Sequence, residues 1–319
     1  MTKTKRILIT GGAGFIGVNL IKCLFKKTNW QIVVLDNLSA SNKKNLDKIQ
    51  RLMKKKVKFI KGDITNKSNV KKAMTGCSLV VNLAAQTGVL PSLKDPLEDA
   101  TINVIGQVTV LNQAVKSKVE KFVQASSAAP LGEQTMPLHE QKIPAPLSPY
   151  GASKLSNEGY CSAFAGSFGL NTVALRFSNI YGLYSGLKGS VVPLFIKLVL
   201  AGKQPYIYGN GKQTRDFIFV EDICDAIYLA LTKKLKNKFE LIQLGTGKET
   251  SVNEFYSVLE KLFKQKGIKI PKPKYRPQRA GEIIKNYTRI SKAKKLLGFR
   301  PEFDLEKGLE LTLQDFLTK

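Results

Sequence analysis

Short apolar runs alternate with longer amphipathic segments through the first two-thirds of the chain. Each run is predicted to be a buried strand, because it is short, rich in β-branched residues and bounded by polar or glycine positions. Seven strands are predicted, at residues 6–10, 31–35, 57–60, 79–83, 121–125, 172–176 and 240–244. Helical patterns lie between them, as at residues 103–115. This alternation predicts an α/β fold with a parallel, doubly wound sheet.

The pattern changes in the later part of the chain. Glycine and proline interrupt residues 180–211 around one apolar helix at 192–200, and residues 266–287 are rich in proline, lysine and arginine. Two short helices are predicted around 290–297 and 305–317. We expect these parts to form a smaller second domain over the carboxyl edge of the sheet, where such folds bind ligands.

A glycine-rich turn follows the first predicted strand. It reads Gly11-Gly-Ala-Gly-Phe-Ile-Gly17, and a helical pattern begins directly after it. Such glycines let the backbone approach a pyrophosphate at the positive end of a helix. The second strand ends at Asp36, an acidic residue about twenty positions further on that suits an adenosine ribose. Asp36 favours NAD over NADP, although Lys43 and Lys44 nearby keep NADP open.

Tyr150 and Lys154 form a second motif, Tyr-x-x-x-Lys. Their spacing places both side chains on one helix face, one turn apart. A free tyrosine has a pKa of roughly 10, and a nearby ammonium favours the phenolate and lowers that pKa. The pair predicts a general base that takes a proton from an alcohol while hydride leaves its carbon. Two unrelated surface residues are the alternative interpretation.

Composition argues against several kinds of protein. The apolar stretches are shorter than a membrane span, and Lys5 and Arg6 lead straight into the first strand, so neither a membrane protein nor a secretory signal is expected. The four cysteines lie far apart and the chain has a single histidine, His139. We therefore expect free thiols in a reducing, cytoplasmic compartment and no metal site.

The net charge of +27 is compatible with binding to nucleic acid. However, the lysines are scattered over different predicted elements and are not interleaved with aromatic residues that could stack on bases. We predict a solvated basic surface with no nucleic-acid or membrane partner. Its positive field would steer an anionic substrate toward the protein.

Further segments, together with these motifs, resemble the extended short-chain dehydrogenase/reductase superfamily, and within it the nucleotide-sugar epimerase/dehydratase branch. The glycine spacing is Gly-x-x-Gly-x-x-Gly, with Tyr-x-x-x-Lys downstream. The resemblance covers nearly all of the chain. Its matching segments are residues 10–17, 62–64, 82–86, 126–127, 148–154, 175–182, 209–211, 214–218, 221–222 and 279–282.

The resemblance implies a Rossmann-type NAD-binding domain of residues 1–177 and 213–243, and a nucleotide-sugar substrate domain of residues 178–212 and 244–319. It also implies a homodimer, formed through two helices of each subunit. The implied contacts with NAD come from Gly11, Gly14, Phe15, Ile16, Gly17, Asp36, Asn37, Asp63, Ile64, Leu83, Ala84, Ala85, Gln86, Asn103, Tyr150 and Lys154.

The same resemblance implies that Ser127 acts in catalysis with Tyr150 and Lys154, and Ser126 is the alternative serine. The next two positions are alanines, at 128 and 129. Dehydrating relatives carry Asp-Glu there, and decarboxylating relatives carry a glutamate at the second position. Because alanine cannot transfer protons, the resemblance favours epimerisation over both of these reactions.

Implied contacts with the substrate come from Ser127, Asn179, Val192, Arg215, Arg279 and Asn286. Arginines suit bidentate contacts with a diphosphate. Asn286 stands where epimerases limited to plain hexoses carry tyrosine, so an N-acetyl group would fit. Tyr287 is adjacent, and a one-residue shift would reverse this inference.

The resemblance therefore predicts an NAD-dependent nucleotide-sugar 4-epimerase. Its substrate would be a UDP-hexose, either UDP-glucose or UDP-galactose or the N-acetyl or uronic acid analogue, and it would react through a transient 4-keto sugar. A 2-epimerase or a keto-sugar reductase of the same family is the alternative. A non-catalytic RNA-binding protein on the same fold is a more distant one.

Overall fold

A seven-stranded parallel sheet forms the centre of the computed structural model, which describes residues 4–278 and 284–318. The strands of the described residues, within this sheet and outside it, are in chain order β1 (Arg6–Thr10), β2 (Gln31–Asp36), β3 (Lys58–Lys61), β4 (Leu79–Asn82), β5 (Lys121–Ser127), β6 (Thr172–Phe177), β7 (Asn179–Tyr181), β8 (Tyr206–Tyr208), β9 (Thr214–Arg215), β10 (Phe217–Phe219), β11 (Phe239–Leu244), β12 (Thr250–Ser251) and β13 (Lys274–Arg276). The order of the strands in the central sheet is β11-β6-β5-β4-β1-β2-β3. All seven predicted strands are confirmed, and each neighbouring pair is parallel.

Helices pack on both faces of this sheet and also in the later part of the chain. They are α1 (Phe15–Lys27), α2 (Lys43–Leu52), α3 (Lys67–Met74), α4 (Val89–Lys94), α5 (Pro96–Ala100), α6 (Gln107–Lys116), α7 (Pro149–Phe168), α8 (Val191–Leu200), α9 (Val220–Thr232), α10 (Val252–Gln265), α11 (Ser291–Leu297) and α12 (Leu305–Leu317). A π-helical turn, Thr101–Gly106, joins α5 to α6. In the part of the chain that the structure describes, no helix is both long and apolar enough to cross a membrane.

Two apolar cores lie on opposite faces of the sheet because successive side chains of a strand alternate in direction. In β1, Ile7 and Ile9 join one core and Leu8 joins the other. The chain order of the strands reverses between β1 and β4, which are adjacent in the sheet. Loops that follow the two strands diverge there and leave a crevice, where doubly wound folds bind ligands.

A third apolar core occupies the later part of the chain. It contains aromatic side chains of α8, β10 and α10, including Phe195, Phe217 and Phe255. Short strand pairs border it: β7 with β10, β9 with β12, and β8 with β13. This core lies where the sequence indicates a second domain. The proposed division of the chain into two domains stays a prediction.

Candidate active site

The glycine turn lies at the crevice between β1 and β4. Gly11 has a φ of +66°, and a Cβ atom there would lie 2.8 Å from the backbone nitrogen of Ala84. A Cβ atom on Gly17 would lie 2.5 Å from the Cα of Gly12. Only glycine fits these two positions, because a methyl group would collide with backbone. The glycines therefore let the turn pack closely against itself and against the loop after β4.

Helix α1 begins at this turn with its N-terminus open. Gly14 is the N-cap, and within the described residues no side chain caps it. The first turn, which starts with Phe15 and Ile16, carries no acidic residue. The free N–H groups and the helix dipole make this end attractive to an anion. A dinucleotide diphosphate has the required charge.

Asp36 ends β2 beside the glycine turn. Its Oδ2 accepts a 2.9 Å hydrogen bond from the Ala13 N–H, and its Oδ1 accepts from the Leu38 N–H at 2.8 Å and from the Ser41 hydroxyl at 2.9 Å. The carboxylate is thus fixed against the turn, and its oxygens can accept further bonds from ribose hydroxyls. These residues fit the adenosine end of NAD.

Asp63 continues the same edge after β3. Its Oδ2 accepts a 2.7 Å hydrogen bond from the Asn37 amide, and its Oδ1 accepts from the backbone and hydroxyl of Thr65. Burial alone would raise the pKa of Asp63, but these hydrogen bonds hold it below the usual value. Ile64 beside it is buried in a core of the sheet. Asn37 and Asp63 therefore act as one bonded unit at this edge.

Asn103 fixes the loop that follows β4. Its Oδ1 accepts a 2.9 Å bond from the Gln86 N–H, and its Nδ2 donates to the Gln86 carbonyl at 3.0 Å and to Asp99 Oδ1 at 2.8 Å. It lies in the π-helical turn and is buried. Leu83, Ala84 and Ala85 precede this anchor and are half-buried. The anchor holds them across from the glycine turn.

Helix α7 presents the tyrosine and the lysine. Ser148 caps the helix by accepting a 3.1 Å bond from the Gly151 N–H, Pro149 takes its first position, and Gly169 ends it in the left-handed conformation. Lys154 is buried, and its ammonium lies 5.6 Å from the centroid of the Tyr150 ring. The predicted pair therefore lies together on one face of a helix.

The pKa values of this pair differ from the expectation. Burial raises the pKa of Tyr150 to about 12, a hydrogen bond with Ser127 lowers it, and the Asp99 charge raises it. Burial also lowers the pKa of Lys154 to about 8, against the charges of Asp99 and Glu158. The expected lowering of the Tyr150 pKa by Lys154 is not what this geometry gives. The ammonium lies over the ring and donates to the Ala125 carbonyl at 3.3 Å, and burial is the largest influence on the Tyr150 pKa.

The two serines at the end of β5 differ in their partners. Ser126 is buried and donates a 2.6 Å hydrogen bond to Glu158. Glu158 also forms a buried ion pair with Arg176, at 2.6 Å. Ser127 is half-buried and bonds Tyr150 instead. The structure thus places Ser127, and not Ser126, in contact with the tyrosine.

Sequence reasoning missed the Glu158–Arg176 pair. Two signals were available: Glu158 follows Lys154 by four residues, one helical turn, and Arg176 interrupts an otherwise apolar strand. The pair ties α7 to β6, while Ser126 ties it to β5. It therefore supports the helix that carries Tyr150 and Lys154.

The predicted substrate residues lie in several places. Asn179 is half-buried on β7 and donates its N–H to the Asp216 carbonyl at 3.0 Å. Arg215 is half-buried on β9, where one guanidinium nitrogen donates to the Thr214 carbonyl at 2.7 Å. Val192 is buried in the third core. Arg279 lies outside the described residues.

Asn286 belongs to a segment that runs beside the loop after Ser127. The Leu138 N–H donates a 2.9 Å bond to the Tyr287 carbonyl, and Leu138 forms a bridge with Thr288. The Asn286 Oδ1 is buried and has no hydrogen-bond partner among the residues that the structure describes. A buried polar atom of this kind is available to a ligand or a water molecule.

Comparison with known proteins shows the family and the fold of the chain. The sequence model of the NAD dependent epimerase/dehydratase family matches residues 7–245. A UDP-glucuronate 4-epimerase of Thermodesulfobacterium geofontis is 33% identical over 313 residues, which cover 96% of this chain and 94% of that protein.

Solved structures of two similar proteins superpose on nearly the whole chain. The UDP-glucose 4-epimerase of Thermotoga maritima, with UDP-glucose, has a TM-score of 0.89 and 33% identity, and the match covers 98% of this chain and 99% of that one. The UDP-N-acetylglucosamine 4-epimerase of Methanobrevibacter ruminantium M1, in complex with UDP-N-acetylmuramic acid, has a TM-score of 0.89 and 30% identity, with 99% of each chain covered.

Proposed function

This chain belongs to the NAD-dependent epimerase/dehydratase family, and on that premise we propose that it inverts carbon 4 of a UDP-hexose. One observation carries the proposal: Ser127, Tyr150 and Lys154 meet at the carboxyl edge of the sheet, and the two residues after Ser127 are alanines. The triad can move a proton on a sugar hydroxyl. The alanines supply no acid or base for loss of water or of carbon dioxide.

The residues at this edge have different roles in the reaction. When bound, NAD supplies a hydride acceptor, and its positively charged nicotinamide favours the phenolate form of a nearby tyrosine. Tyr150 takes the proton of the 4-hydroxyl, directly or through Ser127. Lys154 keeps a positive charge on the same helix face. After the 4-keto sugar has rotated, the hydride that the bound cofactor would hold returns to the opposite face of carbon 4, and Tyr150 returns the proton to the 4-oxygen.

The nucleotide-sugar would bind in the later part of the chain. We propose that residues 178–212 and 244–319 form the substrate domain, with Asn179, Arg215 and Arg279 toward the diphosphate. Arginine suits this role because its planar group bonds two phosphate oxygens at once. Asn286 would lie near the sugar, where its free Oδ1 can accept a bond from an N-acetyl N–H. This supports UDP-N-acetylglucosamine as a substrate beside UDP-glucose.

We also propose a cytoplasmic homodimer. Leu90, Leu97 and Ile105 are large apolar side chains that stay exposed on the helical segment beside α7, and Phe168 is exposed at the end of α7 itself. A second copy would bury them, because exposed apolar groups gain free energy on leaving water. Light scattering should give twice the chain mass, and Leu97→Asp should shift it toward the single-chain mass.

The experiment that tests the reaction is incubation of the purified protein with UDP-glucose and with UDP-N-acetylglucosamine, without added reductant. Proton NMR would follow the anomeric signals. The galacto epimer should appear, and Tyr150→Phe should abolish it. A reductase would instead consume one reduced cofactor for each sugar. Salt-sensitive binding of RNA without turnover of any nucleotide-sugar would favour the RNA-binding alternative.

A further inference from the structure

Lys188 is a half-buried lysine beside the glycine turn. Its ammonium donates a 2.7 Å hydrogen bond to the Ile180 carbonyl and lies 5.3 Å from the centroid of the Phe15 ring. Phe15 is the first residue of α1. The loop that carries Lys188 is itself held on α1, because the Asn19 amide donates to the Leu183 carbonyl at 2.9 Å. The ammonium is therefore held at the N-terminal end of α1.

Among the residues that the structure describes, this cation has no anionic partner. Lys188 forms no ion pair with any residue of 4–278 or 284–318, whereas the half-buried Lys22 and Lys292 are each paired with a glutamate at 2.8 Å. Burial lowers the pKa of Lys188 to about 8, and no charge of a described residue opposes this shift. Holding a desolvated cation without a counter-ion is unfavourable. An anion that arrives from outside the chain would remove this cost.

The open end of α1 is the second observation. It offers N–H groups that no side chain caps within the described residues, and it carries no acidic residue in its first turn. The helix N-terminus carries partial positive charge, and the ammonium contacts the ring of the first residue of this helix. The ligand that fits both is a phosphate group, since it accepts several charge-assisted hydrogen bonds.

We propose that Lys188 binds the diphosphate of NAD, together with the first turn of α1. An ammonium has three donors, so Lys188 can keep its bond to the Ile180 carbonyl and still donate to a phosphate oxygen. The assignment rests on the cofactor of the family and on the position of Phe15. It does not depend on which sugar the enzyme converts.

If its role were purely structural, Lys188 would only hold its loop in place. Lys197 provides the matched control, because it donates a 3.2 Å bond to the Gly186 carbonyl of the same loop and is exposed. Substitution of either lysine removes one lysine–carbonyl bond from this loop. Only Lys188 contacts Phe15, so only its substitution should affect a ligand at the glycine turn.

The test uses protein from which bound cofactor has been removed, and isothermal titration with ADP-ribose and with UDP. Lys188→Gln should weaken ADP-ribose binding about 10-fold or more, because a charge-assisted hydrogen bond is lost. Lys188→Arg should stay within a few-fold of wild type, as should Lys197→Gln. UDP binding should not change in any variant. Thermal unfolding of each variant would establish that it is folded.

Three results would overturn the proposal. If Lys188→Gln bound ADP-ribose as tightly as wild type, Lys188 would not contact the diphosphate. If only the affinity of Lys188→Gln for UDP fell, the anion that Lys188 contacts would be the diphosphate of the substrate and not that of NAD. An equal loss of ADP-ribose affinity in Lys188→Gln and Lys197→Gln would show that each lysine only holds the loop in place. Each of these outcomes is independent of turnover in the NMR assay, so failure here and failure of the 4-epimerase proposal can be told apart.

Discussion

The buried Glu158–Arg176 pair gives the sharpest prediction about stability. Glu158 accepts hydrogen bonds from Ser126 at 2.6 Å and from two guanidinium nitrogens of Arg176 at 2.8 and 2.6 Å. The two side chains are only 5% and 1% exposed. Glu158→Gln would leave a buried guanidinium without its counter-ion, which costs roughly 3–5 kcal/mol. This is a large part of the usual stability of a folded protein.

Thermal unfolding without cofactor measures this loss. We expect the Tm of Glu158→Gln to fall by roughly 4–8 °C, because a chain of 319 residues loses about 1.5 °C per kcal/mol. Glu120→Gln is the matched control, because Glu120 pairs with Lys5 at the surface and such pairs contribute about 1 kcal/mol or less. Glu158→Leu combined with Arg176→Met should regain much of the loss, since an apolar pair leaves no buried charge. If Glu158→Gln and Glu120→Gln unfold at the same temperature, the reasoning is wrong.

Three further predictions concern the site. Ser127→Ala should lower epimerase turnover about 10²–10⁴-fold. Ser126→Ala should mainly lower the Tm, because it breaks the hydrogen bond to Glu158. Equal turnover of the two variants would contradict this prediction. Gly17→Ala should purify without bound NAD, as followed by absorbance of the released cofactor, because its methyl group would collide with the turn. Burial lowers the pKa of Lys154 to about 8, below its ordinary value of 10.5, so between these pH values the unfolded state binds more protons than the folded state. The free energy of unfolding should therefore rise with pH in this range, and by more in wild type than in Lys154→Met. Denaturant titrations near pH 8 and pH 10 would measure this difference, and parallel curves would refute it.

Local sequence patterns predicted the sheet well because buried parallel strands are continuous apolar runs. The prediction ended β5 two residues early, since Ser126 and Ser127 are polar although they pair with β6. It also missed the pairing of Tyr206–Tyr208 with Lys274–Arg276. That second strand is exposed and carries two cations, so no apolar pattern indicates it.

The site was predictable where its geometry is local. Tyr150 and Lys154 are one helical turn apart, so their proximity follows from the sequence. Their pKa values do not follow, because desolvation depends on what packs over α7 from distant parts of the chain. Lys188 was missed for the same reason: only the folded loop brings it to Phe15.

The π-helical turn Thr101–Gly106 sets the rotation of α5 relative to α6, and these two helices pack against different parts of the structure. α6 is fixed by the core beneath the sheet, and α5 packs against α7 and carries Asp99. A π turn holds an additional residue, and one residue of α-helix corresponds to about 100° of rotation and 1.5 Å of rise. A one-residue deletion in Thr101–Gly106 would therefore leave α6 in its core but swing the Asp99 carboxylate off the side that faces Tyr150 and Lys154. Chain length at this turn, and not only residue identity, is thus a constraint on the electrostatics of the tyrosine–lysine pair.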